Sequence, residues 1–262
     1  MIGIFDSGIG GLTVVREVLE KLPQYRIVYF GDTARFPYGT KSQKTIIEYA
    51  IEDTEFLLSQ GAKIIIVACN SASSVAFEVL RERFDIPVFE VIRPAVEKAL
   101  RLTQKQRVGV IGTRATVGSG IYDRLMKEAR PGIQVFSQAC PLLVPLVEED
   151  WLKRPETKRI VRKYLFSLKM KQVDTLVLGC THYPLLKPVI QAKMGRRVAV
   201  IDSSQEVALL VKEYLEKNPE MAARLSPVGE QDGHRFFVSD LTPAFEHIAD
   251  QFLGRPIKLE LA

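Results

Sequence analysis

Ile65-Ile66-Val67-Ala68-Cys69-Asn70-Ser71 and Thr175-Leu176-Val177-Leu178-Gly179-Cys180-Thr181 follow one plan: an apolar β-branched run, a small residue, then a cysteine and polar side chains. Such a run, stopped by polar residues, reads as a buried strand that hands over to a turn or helix. Upstream of each lies a second matching pair. Ile2-Gly3-Ile4-Phe5 before a Gly- and Ser-rich turn resembles Val108-Gly109-Val110-Ile111 before Gly112-Thr113-Arg114-Ala115-Thr116-Val117-Gly118-Ser119-Gly120. The offsets agree, since Gly3 precedes Cys69 by 66 positions and Gly109 precedes Cys180 by 71. The chain therefore reads as an internal repeat of two similar lobes. Each lobe presents a cysteine at a strand end, and ligands of open α/β sheets bind outside the carboxyl ends of strands. Both cysteines are expected in the cleft between the lobes.

Working outward, apolar runs predict strands at residues 2–5, 27–30, 63–68, 88–91, 107–111, 135–137, 175–178, 198–201 and 236–238. Their near-continuous apolar character implies burial on both faces. Amphipathic stretches between them predict helices at 12–22, 43–59, 74–84 and 205–217. In the first, Leu12, Val15, Leu19 and Leu22 form one stripe, with Arg16, Glu17, Glu20 and Lys21 between. Alternating β and α units imply an α/β fold with mostly parallel sheets flanked by helices.

The 262 residues carry 36 Lys and Arg against 31 Asp and Glu, a formal charge of +5. No block of like charge and no nucleic-acid motif accompanies that excess, so a solvated mixed surface accounts for it. No apolar run approaches the roughly 18 residues a membrane-spanning helix needs. Met1 runs straight into an apolar strand without a signal-peptide pattern, which makes a soluble cytoplasmic protein the expectation. The three cysteines, Cys69, Cys140 and Cys180, are odd in number and widely spaced, which argues against a disulfide framework. None belongs to a Cys-x-x-Cys pair, so no structural zinc site is expected.

A buried cysteine is often mere core packing. Two in matching contexts, each followed by Asn-Ser or Thr-His, point instead to chemistry. A strand end that opens a helix offers backbone N–H groups and a positive dipole end, and both favour thiolate. Two opposed thiols could remove a proton from one face of a carbon and return one to the other. Asp6-Ser7-Gly8-Ile9-Gly10-Gly11 could cradle a carboxylate with its N–H groups, or be a turn capped by Asp6 or Ser7. It has neither the dinucleotide nor the Lys-containing phosphate-loop spacing. His182 lies close enough to poise Cys180. His234 and His247 have no such neighbours and read as structural. Asp32 to Gly39 reads as a loop at the cleft edge, or as any turn. Glu148 and Glu149 could orient an imidazole or be surface carboxylates.

Asp6-Ser7-Gly8-x-Gly10-Gly11, Asp32-Thr33-Ala34-Arg35-x-Pro37-Tyr38-Gly39, Ala68-Cys69-Asn70-Ser71-Ala72-Ser73, Gly179-Cys180-Thr181-His182-Tyr183-Pro184 and Ile201-Asp202-Ser203 resemble, in order, the glutamate racemases of bacterial cell-wall synthesis. Gly112-Thr113-x-Ala115-Thr116-Val117-x-Ser119 and Ala139-Cys140-Pro141-Leu142-x-Val144-Pro145-Leu146 are similar too. The resemblance implies a two-lobed aspartate/glutamate racemase fold that interconverts L- and D-glutamate without pyridoxal phosphate, metal or nucleotide, supplying D-glutamate for peptidoglycan. It implies Cys69 and Cys180 as the acid/base pair, Asp6 and His182 as their assistants, and Glu148 as the group that orients His182. Asp6, Ser7, Tyr38, Gly39, Asn70, Ser71, Thr181 and His182 would line the glutamate site, with Thr116 beside them. It makes 1–95 with 206–262 the first lobe and 96–205 the second, and a homodimer is the expected assembly. Some members also affect a DNA topoisomerase, and nothing in this sequence argues for that. Ser71 stands where the family often has threonine, and Phe36 replaces the more usual valine. Cys140 belongs to the pattern as a structural residue.

Two other readings stay open at this stage. A racemase of the same superfamily could act on aspartate or a hydantoin with the same thiols. A non-catalytic protein could close two α/β lobes on a small acid, and would tolerate serine at either cysteine.

Overall fold

A computed structural model of the protein describes residues 1–228 and 233–262. Its strands are β1 (Ile2–Asp6), β2 (Ile27–Gly31), β3 (Ile64–Val67), β4 (Val88–Glu90), β5 (Arg107–Gly112), β6 (Gln134–Ala139), β7 (Thr175–Gly179), β8 (Ala199–Asp202), β9 (Arg235–Val238) and β10 (Glu260–Leu261). They form a six-stranded sheet in the order β10-β9-β2-β1-β3-β4 and a four-stranded sheet in the order β6-β5-β7-β8. Every pairing between these strands is parallel. The order β2-β1-β3-β4 thus recurs as β6-β5-β7-β8, so the repeat in sequence is a repeat in topology. The first sheet is extended by β9 and β10, which return from the C-terminal segment to the β2 edge. All nine expected strands are present. β10 was not expected, because two residues show no period.

Strand alternation divides the first sheet between two cores. Ile2, Ile4, Ile27, Tyr29, Ile64 and Ile66 face one way, while Phe5, Val28, Phe30, Ile65 and Val67 face the other. The second face is covered by the helices Gln43–Ser59 and Asn70–Arg83, through Ile46, Ala50, Leu57, Ala76 and Leu80. The first is covered by Leu12–Lys21, Ile92–Leu102 and Ser203–Lys217, and its core runs on unbroken into Val108, Val110, Leu176 and Leu178 of the second sheet. The lobes therefore share one core. Ser203–Lys217 alone contributes Val207, Val211 and Leu215 to it. At roughly 1.5–3 kcal/mol for each large aliphatic side chain buried, peeling that helix away would cost several kcal/mol.

Two expectations fail locally. β6 is the edge of its sheet, with Gln134 and Ser137 exposed, and is not buried on both faces. The helix expected from residue 74 begins at Asn70, where the Ser73 amide donates to the Cys69 carbonyl at 2.8 Å. The small polar run Asn70-Ser71-Ala72-Ser73 favours turns by local propensity, and its burial between the lobes overrides that preference. Among the described residues no helix is long and apolar enough to cross a membrane.

Candidate active site

Cys69 follows β3 and is the N-cap residue of Asn70–Arg83, with its thiol 3.6 Å from Ser7 Oγ. Cys180 follows β7, and its sulfur lies 3.9 Å from His182 Nδ1. In their sheets β3 pairs with β1 and β7 with β5. Ser7 after β1 and Thr113 after β5 therefore stand beside the cysteines in equivalent places. All four line one small cavity, together with Asn70, Ser71, Thr181, His182, Phe36, Pro37, Gly39 and Val144. Its free space is about 20 Å³, room for about one water molecule, so a larger ligand enters only when the walls move apart. Both cysteines are free and nearly fully buried.

The charges around the two thiols differ in sign. Burial pushes the Cys69 thiol up to about 12, and the nearby Asp6 carboxylate adds to that, against the Ala72 amide and the Ser7 hydroxyl. The helix N-terminus was expected to favour thiolate here. Its help is outweighed because the sulfur has lost water and faces an anion. Asp6 is itself fully buried, accepting from the Gly8 amide at 3.2 Å and from Thr181 Oγ1 at 3.3 Å. Burial raises its pKa, opposed by the charge of His182 and by backbone N–H groups of Gly11 and Gly8. Around Cys180 the pattern reverses. Burial disfavours the imidazolium of His182, but hydrogen bonds to Cys180 and to Glu148, with their charges, raise it to about 10. Glu148 Oε1 lies 3.1 Å from Nε2. A protonated imidazole donates from both nitrogens, so a cationic donor faces the Cys180 sulfur.

Of the residues expected at the site, Ser7, Gly39, Cys69, Asn70, Ser71, Cys180, Thr181 and His182 share the cavity wall. Asp6 lies behind it, and Glu148 reaches His182 from an adjoining depression that it lines with Leu142 and Tyr164. Tyr38 does not line the cavity. Its side chain is fully buried, and the hydroxyl donates to Asp53 at 2.9 Å and to Asp32, while the ring packs 5.4 Å from that of Tyr49. Arg35 closes this cluster with ion pairs to Asp32 at 2.5 Å, to Asp53 at 3.0 Å and to Glu52. The loop Asp32 to Gly39 is thereby pinned from beneath, and Phe36, Pro37 and Gly39 carry it to the cavity. Thr116 is buried one layer back, 3.4 Å from Ser71 Oγ.

The Gly-rich turn after β1 has a reason the sequence did not disclose. A Cβ on Gly10 would lie 2.5 Å from His182 Nδ1 and 2.6 Å from Thr181 Oγ1, so only glycine lets the second lobe come this close. Neither Asp6 nor Ser7 caps the next helix, whose N-cap residue is Gly11. Asp202 caps Ser203–Lys217 by accepting from the Ser204 amide, which accounts for the Ile201-Asp202-Ser203 motif.

Thr113 and Val144 were not expected in the wall, and Phe36 and Pro37 only as part of the loop at the cleft edge. Thr113 had a signal, since it occupies in the repeat the place of Asp6 and Ser7. Val144 had none inside its apolar run. Phe252, from Pro243–Leu253, was also missed, and its ring meets that of His182 edge-on at 5.3 Å. Cys140 is fully buried away from the cavity, with burial raising its thiol. His234 accepts from the Ile27 amide at 3.3 Å, a structural role. The side chain of His247 lies outside the described residues.

Residues 9–211 match the Asp/Glu/hydantoin racemase family. A glutamate racemase of Geobacter metallireducens is 47% identical over 253 residues, covering 97% of this chain and 92% of its own. The structure of glutamate racemase isoform RacE1 from Bacillus anthracis aligns with a TM-score of 0.92 at 36% identity, covering 100% of this chain and 97% of that one. The Francisella tularensis glutamate racemase, solved in complex with D-glutamate, aligns with a TM-score of 0.91 at 36% identity, covering 100% and 96%. By matched length, identity and shared fold, the chain belongs to the Asp/Glu/hydantoin racemase family.

Proposed function

We propose that the protein is a glutamate racemase that interconverts L- and D-glutamate by proton transfer at Cα between two thiols, Cys69 and Cys180, and so supplies D-glutamate for peptidoglycan. The observation that carries this reading is that two free cysteines, just past equivalent strands of two sheets, open onto one small cavity whose wall holds Ser7, Asn70, Ser71, Thr181 and His182. Its glutamate relatives, similar over nearly the whole chain, support the choice of substrate.

In one direction Cys180, as thiolate facing the His182 imidazolium, takes the α-proton, and the carbanion delocalises into the carboxylate as a planar species. The Cys69 thiol then gives its proton to the opposite face. Burial keeps that thiol protonated, ready to act as the acid. In the other direction Cys69 must act as base, and the substrate ammonium supplies the positive charge that offsets Asp6. Ser7, Asn70, Ser71 and Thr181 offer hydroxyl and amide donors to the carboxylates. The chemistry asks for no cofactor, because both proton carriers are side chains.

The test is incubation with D-glutamate and, separately, D-aspartate in deuterated, reducing buffer, following optical rotation and deuterium at Cα. Racemisation and exchange with glutamate alone are expected. Activity on aspartate alone would keep the mechanism and change the substrate. Inertness toward both would leave a binding protein.

A further inference from the structure

The amide of Asn70 is half satisfied. Asn70 is 2% exposed and lines the cavity. Its Oδ1 accepts a 2.8 Å hydrogen bond from the hydroxyl of Tyr122, on the helix Ile121–Ala129 of the other half of the chain. Its Nδ2 is buried without a partner. An unpaired buried donor is unfavourable enough to be rare in a folded protein, and one in the wall of a binding cavity is explained when a ligand acceptor completes it. Tyr122 decides which end of the amide is left over. Buried beside Glu90 and Cys180, its phenol is held well above its ordinary pKa and keeps its proton, which it gives to Oδ1, so Nδ2 is the end left over. The ring sits against the backbone just before Cys180, since a Cβ on Gly179 would lie 3.3 Å from Tyr122 Cε2. One side chain thus touches the residue after Cys69 and the residue before Cys180.

We propose that Tyr122 is a positioning residue: it locks the Asn70 amide so that Nδ2 is presented to a substrate carboxylate, and it ties that orientation to the spacing of the two lobes. The inference rests on the glutamate reading above for the identity of the carboxylate. Tyr122 does not touch the reacting atoms.

Tyr122→Phe keeps the ring against Gly179 and removes only the hydroxyl. With the amide free to flip, KM for D- and L-glutamate should rise about tenfold, the order of one hydrogen bond to a charged group, while kcat stays within about threefold. Asn70→Ala should raise KM as well, and adding Tyr122→Phe to it should change KM by less than about twofold, because the tyrosine acts through the asparagine. An unchanged KM in Tyr122→Phe, or losses that multiply in the double variant, would overturn the proposal.

A complementary measurement needs no variant. Asn70 and Asn218 are the only asparagines in the chain, so labelling asparagine with nitrogen-15 shows just two side-chain amides. The Asn70 amide should shift on addition of D-glutamate while that of Asn218, bonded to the Tyr214 carbonyl, stays put. No shift in a sample that racemises glutamate would overturn this inference and leave the function standing. A shift in a sample that does not racemise would do the reverse.

Discussion

Cys69 and Cys180 end equivalent strands, β3 and β7, yet their neighbours carry opposite charge. Cys69 faces a carboxylate, Asp6, and is raised to about 12. Cys180 faces His182, which is raised to about 10 and braced by Glu148. The repeat supplies two thiols in related places, and the residues around them break the equivalence: one faces an anion, the other a cation. The proposed two-thiol racemisation needs its two groups to differ by one proton at any moment, and the opposite charges around them would supply that difference.

Removing either thiol tests the comparison most severely. Cys69→Ser and Cys180→Ser should each lower kcat by roughly 10³-fold or more, because a serine hydroxyl is a poor base near neutral pH, while D-glutamate still binds in calorimetry. If either serine variant kept turnover near the parent's, the two sites would not form an acid/base pair.

The cationic side of the comparison is sharpened by Glu148→Gln. The glutamine keeps a hydrogen bond to His182 Nε2 but removes the charge, so kcat should fall by roughly tenfold, less than for a group that itself carries the proton. The same variant should change stability against pH. The His182 pKa is raised on folding from 6.5 to about 10, so its contribution is complete below about 6.5 and is lost as pH rises toward 10. The Cys69 thiol, raised from 9.0 to about 12, adds a loss in the same direction only above about 9. Between pH 6.5 and 9, thermal melting of the parent should therefore fall with pH more steeply than that of Glu148→Gln. Parallel curves would mean that Glu148 does not hold the proton on His182.

Much of this asymmetry was hidden in the sequence, although the frame was not. Apolar runs with polar stops marked nine strands and both cysteines, because burial on a sheet leaves a local trace. The partner of His182 left none: Glu148 is 34 positions away, and its role came from family resemblance. Phe252 packs on the same imidazole from the far end of the chain. Tyr38 sits in a motif that points to the cleft, but its neighbours Pro37 and Gly39 line the cavity while its own ring turns inward to Asp32 and Asp53. A motif records that a residue is constrained without recording which way it faces. Asn70 was read as a site residue outside any helix, and its helical start is imposed by the packing that brings Tyr122 to it.

The smallest expected effect lies in the cavity wall, where Ser71 meets Thr113 at 2.9 Å and Thr116 at 3.4 Å across the lobes. This hydroxyl cluster carries no charge, so it belongs to neither side of the comparison. Ser71→Thr keeps the hydroxyl and adds one methyl group to the cavity wall. Threonine is stiffer at χ1 than serine, and one buried methyl is worth about 0.8 kcal/mol, which limits the change in KM to about fourfold. kcat should not change, because the hydroxyl is not a proton carrier. Steady-state kinetics with glutamate and aspartate would show whether the limit holds for both. A change confined to one substrate would put Ser71 at the end of the cavity that reads side-chain length, and the difference between the two halves of the site would then extend from charge to shape.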